Sequence, residues 1–320
     1  MSMKSAAVIQ EAPAILAPAR QRLNRAAVIF SFLSIYVIWG STYLAIRYAV
    51  ETIPPLYTAG IRHLLAGTIL LAWCLARRLR PTWAQIRASI IIGTFFFLIG
   101  HGTLHWAEQS VPSGLASLLI ASEPIWVFLL TAIAARQWRL NATLVAGIFL
   151  GFGGVGLLMG RSALNSGPAV FVGSLAVVLG ALSWSVGIVY SRRSHLSGHP
   201  LLLSALSLLA GSVQLLLVGS AVGEYRGFSF ASVSLRSWLA LGYLILFGSV
   251  VAFTAYNWLL EHYSPTLVAT HTYVNPIVAV LLGWLFAGEA VTLNVLLSTA
   301  MVIGAVMLVD RGMARLQPGS

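Results

Sequence analysis

The chain alternates between apolar blocks of about 20 residues and short polar segments. An α-helix rises about 1.5 Å per residue, so a block of this length crosses the roughly 30 Å hydrocarbon core of a bilayer. Ten such blocks follow one another, and each predicts one membrane helix. The predicted helices are 26–46, 56–76, 88–107, 113–135, 142–160, 169–191, 200–222, 237–260, 265–287 and 291–309.

The composition places the chain outside the soluble proteins. Hydrophobic residues make up 58% of it and charged residues only 8%, whereas a soluble domain carries about 25% charged residues. The fold class predicted is therefore an all-α polytopic membrane protein. A net charge of +11 would suggest nucleic acid as the partner of a soluble protein. Here the basic residues concentrate in loops, so we expect a lipid bilayer and no nucleic acid.

The basic residues also predict the orientation. Cytoplasmic loops of membrane proteins are enriched in Lys and Arg, and this chain satisfies that rule if both termini are cytoplasmic. The predicted cytoplasmic segments then hold Lys4, Arg20, Arg22, Arg25, Arg77, Arg78, Arg80, Arg87, Arg136, Arg139, Arg192, Arg193, Arg311 and Arg315. The predicted outer segments hold Arg47, Arg161, Arg226 and Arg236. Residues 1–25 and 311–320 are predicted to be cytoplasmic tails.

An internal repeat is visible in the same pattern. A shift of 145 residues places Trp39 on Trp184, and a shift of 152 residues aligns later positions of the two halves. The predicted units are 26–160 and 169–310, joined by a linker at 161–168. Each unit holds five helices, an odd number, so the second enters the membrane from the opposite side. The pairs aligned by the longer shift are Leu115–Leu267, Glu123–Asn275, Pro124–Pro276 and Trp106–Trp258.

These features together resemble a known family. The sequence Trp-Gly-Ser at 39–41, the prolines in helices 4 and 9, the segment 276–292 and Gly304 are similar to the EamA-type branch of the drug/metabolite transporter superfamily. The resemblance implies ten helices around a central cavity in a bacterial inner membrane carrier, most often an exporter of metabolites, amino acids or drugs. The first half departs from the pattern, because Gln137 stands where the second half has Glu289.

Glu123 is the most unusual residue of the apolar blocks. It lies ten residues into predicted helix 4 and is followed directly by Pro124. A charge at this depth costs roughly 2.5 kcal/mol or more, and the proline removes a backbone donor. We expect the pair to face the interior of the bundle and Glu123 to contact the substrate. The alternative is a structural carboxylate held by a neighbouring arginine or hydroxyl group.

Several other residues are predicted to line the same mid-membrane site. Trp39, Trp184 and Asn275 fall at about the depth of Glu123, where inverted-repeat carriers bind their substrates. His271 lies one helical turn before Asn275 and would extend its polar face. For the two tryptophans the alternatives are core packing or a lipid-facing belt. Tyr43 and Trp126 complete the predicted wall.

Helices 2 and 3 carry further charged and titratable groups. Arg62 either snorkels to the outer headgroups, pairs with Glu123 or Glu108, or anchors a substrate carboxylate. His101, His105 and Glu108 are spaced i, i+4 and i+7 and so share one helix face. The favoured interpretation is a polar seam lining an outer vestibule. Proton coupling through a histidine and a metal pair are the alternatives, and we expect no metal.

The remaining motifs predict structural roles. Gly147-xxx-Gly151 and Gly156-xxx-Gly160 allow close helix approach, within the bundle first and in a dimer second. Glu289 is expected to open helix 10, where the positive end of a helix favours a carboxylate. The single cysteine excludes an intrachain disulfide.

The sequence therefore predicts a secondary transporter that moves a small molecule by alternating access. It contains no nucleotide-binding loop of the type Gly-x-x-x-x-Gly-Lys-Ser/Thr, and we expect no cofactor and no catalysis. Export is the favoured direction, with uptake as the alternative and protons as a conceivable coupling ion. A membrane enzyme and a binding or sensor protein without transport are the alternatives from other classes. The oligomeric state stays open between monomer and homodimer.

Overall fold

The computed structural model describes residues 24–136, 140–165, 167–194, 198–263 and 265–316. Every regular element in these ranges is helical, and the chain is an all-α polytopic membrane protein. Gln137 and most of the two predicted tails lie outside the described residues. The helices are α1 (Arg25–Ala49), α2 (Pro55–Ala76), α3 (Trp83–Ala107), α4 (Ser113–Ala135), α5 (Ala142–Asn165), α6 (Pro168–Arg193), α7 (Pro200–Ala221), α8 (Leu235–His262), α9 (Pro265–Val268 with His271–Ala287) and α10 (Leu293–Leu316).

Within the described ranges, nine helices are long and apolar enough to cross a membrane, and α9 supplies a shorter tenth. The helix α9 falls short because it is interrupted between Val268 and His271. The predicted span 265–287 is therefore present as two helical pieces, and the prediction of about ten membrane helices is confirmed.

Three helix boundaries differ from those predicted by more than three residues. The helix α3 begins before Arg87, because Thr82 and Gln85 form a capping box. The helix α5 continues through Asn165, so most of the predicted linker 161–168 is helix, and α10 continues to Leu316 instead of ending at 309. A helix can run on beyond the hydrocarbon core while its side chains reach water, so polar residues at these positions do not end it.

The helices pack in symmetric pairs. The helix α2 packs antiparallel on α7, its counterpart in the second half, and α5 packs in the same way on α10. The contact of α3 with α6 is matched by the contact of α8 with α1, and α4 packs on α9. Two inverted five-helix repeats would pair their helices in this way.

The same symmetry appears in the backbone irregularities. A π-helical stretch interrupts α3 at Thr94–His101 and another interrupts α8 at Leu244–Val251. These helices are counterparts in the two halves, and each stretch contains eight residues. A third stretch, Ser34–Ile38, lies in α1. Such bulges are uncommon and often mark functional positions.

The two glycine pairs of α5 have different surroundings. A Cβ atom on Gly147 would lie 2.9 Å from the backbone nitrogen of Val309 and 3.0 Å from the carbonyl oxygen of Ala305. A Cβ atom on Gly151 would meet Ile125 of α4 and Ala305 of α10, so the first motif serves packing within the bundle. A Cβ atom on Gly156 would meet nothing within 4 Å.

We predict that Gly147→Val destabilises the protein, because α10 must move away from α5 to admit the side chain. Overpacking of this kind costs about 1–3 kcal/mol. Thermal unfolding in detergent measures the effect, and Gly156→Val on the same helix is the matched control. If Gly156→Val is destabilised as much as Gly147→Val, the loss of stability comes from helix propensity and not from packing against α10.

Candidate functional site

A cavity of about 730 Å³ lies between the two halves of the bundle. We call the end where α1 begins and α4 ends the basal end, and the end where α1 ends and α2 begins the distal end. The lining extends from Ile46, Leu104 and Ser117 on the distal side to Ala135 and Arg192 at the basal end. The cavity thus occupies the middle of the bundle and its basal half.

Eight of the nine predicted site residues line this cavity. They are Trp39, Tyr43, Arg62, His101, Glu123, Trp184, His271 and Asn275. Trp126 is the exception, since it is absent from the lining. Its ring packs against Phe152 of α5 at a centroid distance of 5.1 Å, and its indole N–H donates to the Ser122 hydroxyl. Trp126 therefore lies on the side of α4 that faces α5, away from the cavity.

Glu123 lies where α4 is broken. The first half of the helix ends at Ile120 and the second begins at Glu123 itself. Pro124 has no N–H to offer the carbonyl group of Ile120 four residues earlier, so the helix cannot continue there. The break leaves the Glu123 carboxylate at the N-terminus of a new helix, which is the positive end of its dipole.

The Glu123 carboxylate has no hydrogen-bond or ion-pair partner among the described residues. It interacts electrostatically with Arg192, which stands at the basal mouth of the cavity. Only the backbone carbonyl of Glu123 is bonded, accepting the Ser185 hydroxyl at 3.3 Å. This arrangement favours a carboxylate available to a ligand over one held by a neighbouring hydroxyl group.

Two aromatic groups form the walls. Trp39 contacts Tyr256 and His271 at centroid distances of 5.1 and 5.0 Å, and its N–H donates to the Gly248 carbonyl at 3.1 Å. Across the cavity, Trp184 stacks on Phe96 at 4.3 Å. The two tryptophans aligned by the repeat thus both face the cavity as well as contributing to packing.

Asn275 has a structural task in addition to its place in the lining. In the amide orientation that satisfies its surroundings, its side-chain nitrogen lies 3.0 Å from the carbonyl oxygens of Ile35 and Tyr36 and 3.1 Å from that of His271. Its two hydrogens are shared among these three acceptors. Ile35 and Tyr36 belong to the π-helical stretch of α1. The amide of α9 therefore satisfies irregular backbone in α1 and joins the two halves.

Arg62 does not snorkel to the headgroups. Its side chain is only 2% exposed and its Nε donates to the Ser249 hydroxyl at 3.0 Å. No ion pair within 4.0 Å connects it to Glu108 or Glu123. The geometry therefore shows neither snorkelling nor an ion pair with Glu108 or Glu123. The terminal amino groups of Arg62 remain available in the cavity wall.

The histidines of α3 are part of a buried cluster that includes a residue the sequence did not single out. The Nδ1 atom of His101 lies 2.9 Å from Nε2 of His63 on α2. His105 is fully buried and its Nδ1 donates to the His101 carbonyl at 2.7 Å. Glu108 is 2% exposed, so the predicted outer vestibule is closed. Within the described residues, no group of three or more metal-ligating side chains is positioned for a metal ion.

The distal end is closed by a set of contacts that we call the distal clasp: Arg47, Ser113, Gly114 and Glu289. Glu289 accepts the backbone N–H of Ser113 at 2.8 Å, that of Gly114 at 3.0 Å and the Arg47 guanidinium at 2.6 Å. It therefore caps α4, whereas α10 begins only at Leu293. The expectation that Glu289 opens helix 10 is wrong, because the connection carries it across to α4.

A second carboxylate performs the same task for α2. Glu224, in the connection after α7, accepts the backbone N–H groups of Leu56 and Tyr57 at 3.1 and 3.0 Å. Burial raises the pKa of this carboxyl group, and the two N–H groups oppose that shift. Two helices of the first half, α2 and α4, begin at the distal end. The second half of the chain supplies the carboxylates that cap both of them.

Comparison with known proteins gives concordant matches. The model of the EamA-like transporter family matches residues 26–160 and 171–310. An uncharacterized inner membrane transporter of Escherichia coli K12, YedA, is 36% identical over 285 residues, covering 88% of this chain and 90% of the relative. The uncharacterized transporter YoaV of Bacillus subtilis 168 is 25% identical over 282 residues, with coverage of 86% and 94%.

A solved structure shares the fold. A crystal structure of a protein that is 22% identical superposes with a TM-score of 0.62, covering 91% of this chain and 99% of that one.

We predict that Glu289→Gln lowers thermal stability more than Glu51→Gln does. Glu289 is 9% exposed and its hydrogen bonds are charge-assisted, so its loss costs roughly 1–3 kcal/mol. Glu51 pairs with Arg236 while both are largely exposed, and such pairs contribute about 0–1 kcal/mol. Unfolding of both variants in the same detergent makes the comparison. Equal losses would contradict the role assigned to the distal clasp.

Proposed function

Because the chain belongs to the EamA-like transporter family and is an inner membrane transporter, we propose that it moves a small solute by alternating access without ATP. The observation that carries the proposal is the cavity between the two halves, which reaches the basal end and stops below the distal clasp. A site reachable from one side only is what each state of such a carrier requires.

The positive-inside rule supports a cytoplasmic basal end. The basal end holds the predicted cytoplasmic arginines, including Arg25, Arg77, Arg192 and Arg315. With this orientation both termini are cytoplasmic and the structure is an inward-facing state. The two proposed units, 26–160 and 169–310, would then rock about the level of Glu123.

The outward-facing state requires the distal clasp to open. Arg47 and Ser113 belong to the first unit and Glu289 to the second, so separation of the units at this end breaks all their contacts at once. The interruptions before Glu123 and before His271 offer points where α4 and α9 bend, because a helix lacking backbone hydrogen bonds there resists bending less.

Glu123 is the residue proposed to select the solute, with Trp39 and Trp184 as flat apolar walls. The unpaired carboxylate suits a cation or a hydrogen-bond donor on the solute. A proton carried by Glu123 is a further part of the proposal. Export is the proposed direction, and uptake by the same fold is the alternative. We propose no catalysis, since the cavity lining shows no nucleophile–base pair.

Cysteine accessibility tests the state and the orientation. We predict that Ala132→Cys, in a Cys74→Ser background, reacts with a membrane-impermeant maleimide from the cytoplasmic side. Ala132 lines the basal part of the cavity and is 6% exposed, whereas Ala116 on the same helix is fully buried and outside the cavity lining. Ala116→Cys is the matched control and should stay unlabelled from both sides. Labelling of Ala132→Cys from the outside alone would overturn the orientation.

Transport tests the role of Glu123. Comparing metabolites in the medium and cytosol of cells with and without the protein identifies the exported solutes, whose flux is then measured in proteoliposomes. We predict that Glu123→Gln lowers this flux at least about tenfold, the effect of losing one charge-assisted contact, without lowering thermal stability. Glu261→Gln, at the exposed basal surface, is the control.

The pH profile of the same flux tests proton coupling. If Glu123 carries the proton, the flux through the wild-type protein depends on pH and that through Glu123→Gln does not. A variant with the wild-type pH profile would remove this role from Glu123 while leaving the carrier itself in place.

A further inference from the structure

The distal floor of the cavity brings together three polar groups from three helices. We call Tyr43 of α1, Arg62 of α2 and His101 of α3 the floor triad. Each lies six or seven residues from the distal end of its helix, which is about 9–10 Å at 1.5 Å per residue. All three line the cavity. Arg62 lies within electrostatic range of His101, and Glu108 lies within electrostatic range of both Arg62 and Tyr43.

The donor atoms of the triad are free on the cavity side. The Arg62 guanidinium is bonded only through Nε, leaving its terminal amino groups without a hydrogen-bond or ion-pair partner among the described residues. The Tyr43 hydroxyl has no such partner either. His101 uses Nδ1 toward His63, which leaves Nε2 for the cavity.

Arg62 is held in place rather than mobile. Ser249 accepts from its Nε at 3.0 Å, and a Cβ atom on Gly248 would lie 3.3 Å from one of its terminal amino groups. Both residues belong to the π-helical stretch of α8. Glu108, just beyond α3, attracts the guanidinium electrostatically without forming an ion pair. A fixed and unpaired buried cation is costly unless an anion completes it.

We propose that the floor triad is a subsite for one compact anionic group, a carboxylate or a group of similar size, on the transported solute. The planar guanidinium suits bidentate binding of such a group, and the phenol adds a hydroxyl donor. The imidazole adds an Nε2–H donor in the tautomer in which His101 Nδ1 accepts from Nε2 of His63. That this group belongs to a transported solute rests on the proposed function; that the triad binds such a group does not.

The rest of the cavity limits the solute to one such group. Glu123 lies ten residues from the distal end of α4, beyond the break in that helix, and so to the basal side of the triad. Its unpaired carboxylate repels a second anion at that level. Trp39 and Trp184 suit an apolar body between the two levels. The solute class is therefore an apolar or aromatic monoanion, or a zwitterion whose cation faces Glu123.

Binding to the purified full chain in lipid nanodiscs tests the subsite. The probes are 3-phenylpropanoate, its neutral analogue 3-phenylpropanamide and the dianion benzylmalonate, detected by quenching of tryptophan fluorescence. We expect the carboxylate to bind at least about tenfold more tightly than the amide, and more tightly than the dianion. Arg62→Gln should lower the affinity for the carboxylate about 10- to 100-fold and change the affinity for the amide by no more than about twofold.

Further variants keep the test decisive if Arg62→Gln does not fold. Arg62→Lys keeps the charge without the planar fork and should weaken carboxylate binding alone. Tyr43→Phe should lower the preference for the carboxylate over the amide, while Tyr243→Phe, outside the cavity, should not. Loss of the preference in Arg192→Gln with retention in the Arg62 variants would place the anion at the basal mouth and overturn the proposal.

Counterflow of the same probes separates this proposal from the carrier function. Carboxylate preference without counterflow would contradict transport and leave the subsite intact. Equal binding of carboxylate and amide, or no binding of any probe by folded protein, overturns the subsite, whether or not the protein transports other solutes.

Discussion

A backbone surrounded by hydrocarbon must satisfy its own hydrogen bonds, because no water is present to do so. In this chain three departures from regular helix contribute residues to the cavity lining: the break before Glu123, the break before His271 and the π-helical stretch of α3. Where carbonyl groups are left over, another helix supplies the donor, as Asn275 does for α1. Much of the irregular backbone therefore lies beside the cavity, where the proposed binding and bending take place.

The same constraint explains how the distal end closes. A helix start exposes N–H groups that have no partner within the helix. The second half of the chain satisfies them with carboxylates, Glu289 at α4 and Glu224 at α2. Glu289 also meets Arg47, so one side chain combines an ion pair, two backbone bonds and the helix dipole. In the proposed transition, these contacts are lost together when the two halves separate.

The polar groups of the cavity are arranged by level along the bundle. Arg62, with Tyr43 and His101 beside it, forms the floor, Glu123 stands above it toward the basal end, and Arg192 is at the mouth. The tryptophans that the repeat aligns provide apolar surface between these levels. Unpaired charges in a membrane protein are expensive and usually belong to the path of a solute or ion. The floor triad, Glu123 and Arg192 follow one another along the cavity, so the charge of its wall changes sign along its axis.

The hydropathy pattern determined the all-α membrane fold, the number of helices and most of their bounds, because insertion of an apolar block depends on that block alone. Eight of the nine site residues predicted from the sequence line the cavity, since the depth of a residue follows from its position along a helix. Only the tertiary structure decided which way Trp126 points, that His63 joins His101, and that Glu289 caps α4 instead of α10. These features depend on helix rotation and on contacts between segments up to 176 residues apart, which no local pattern encodes.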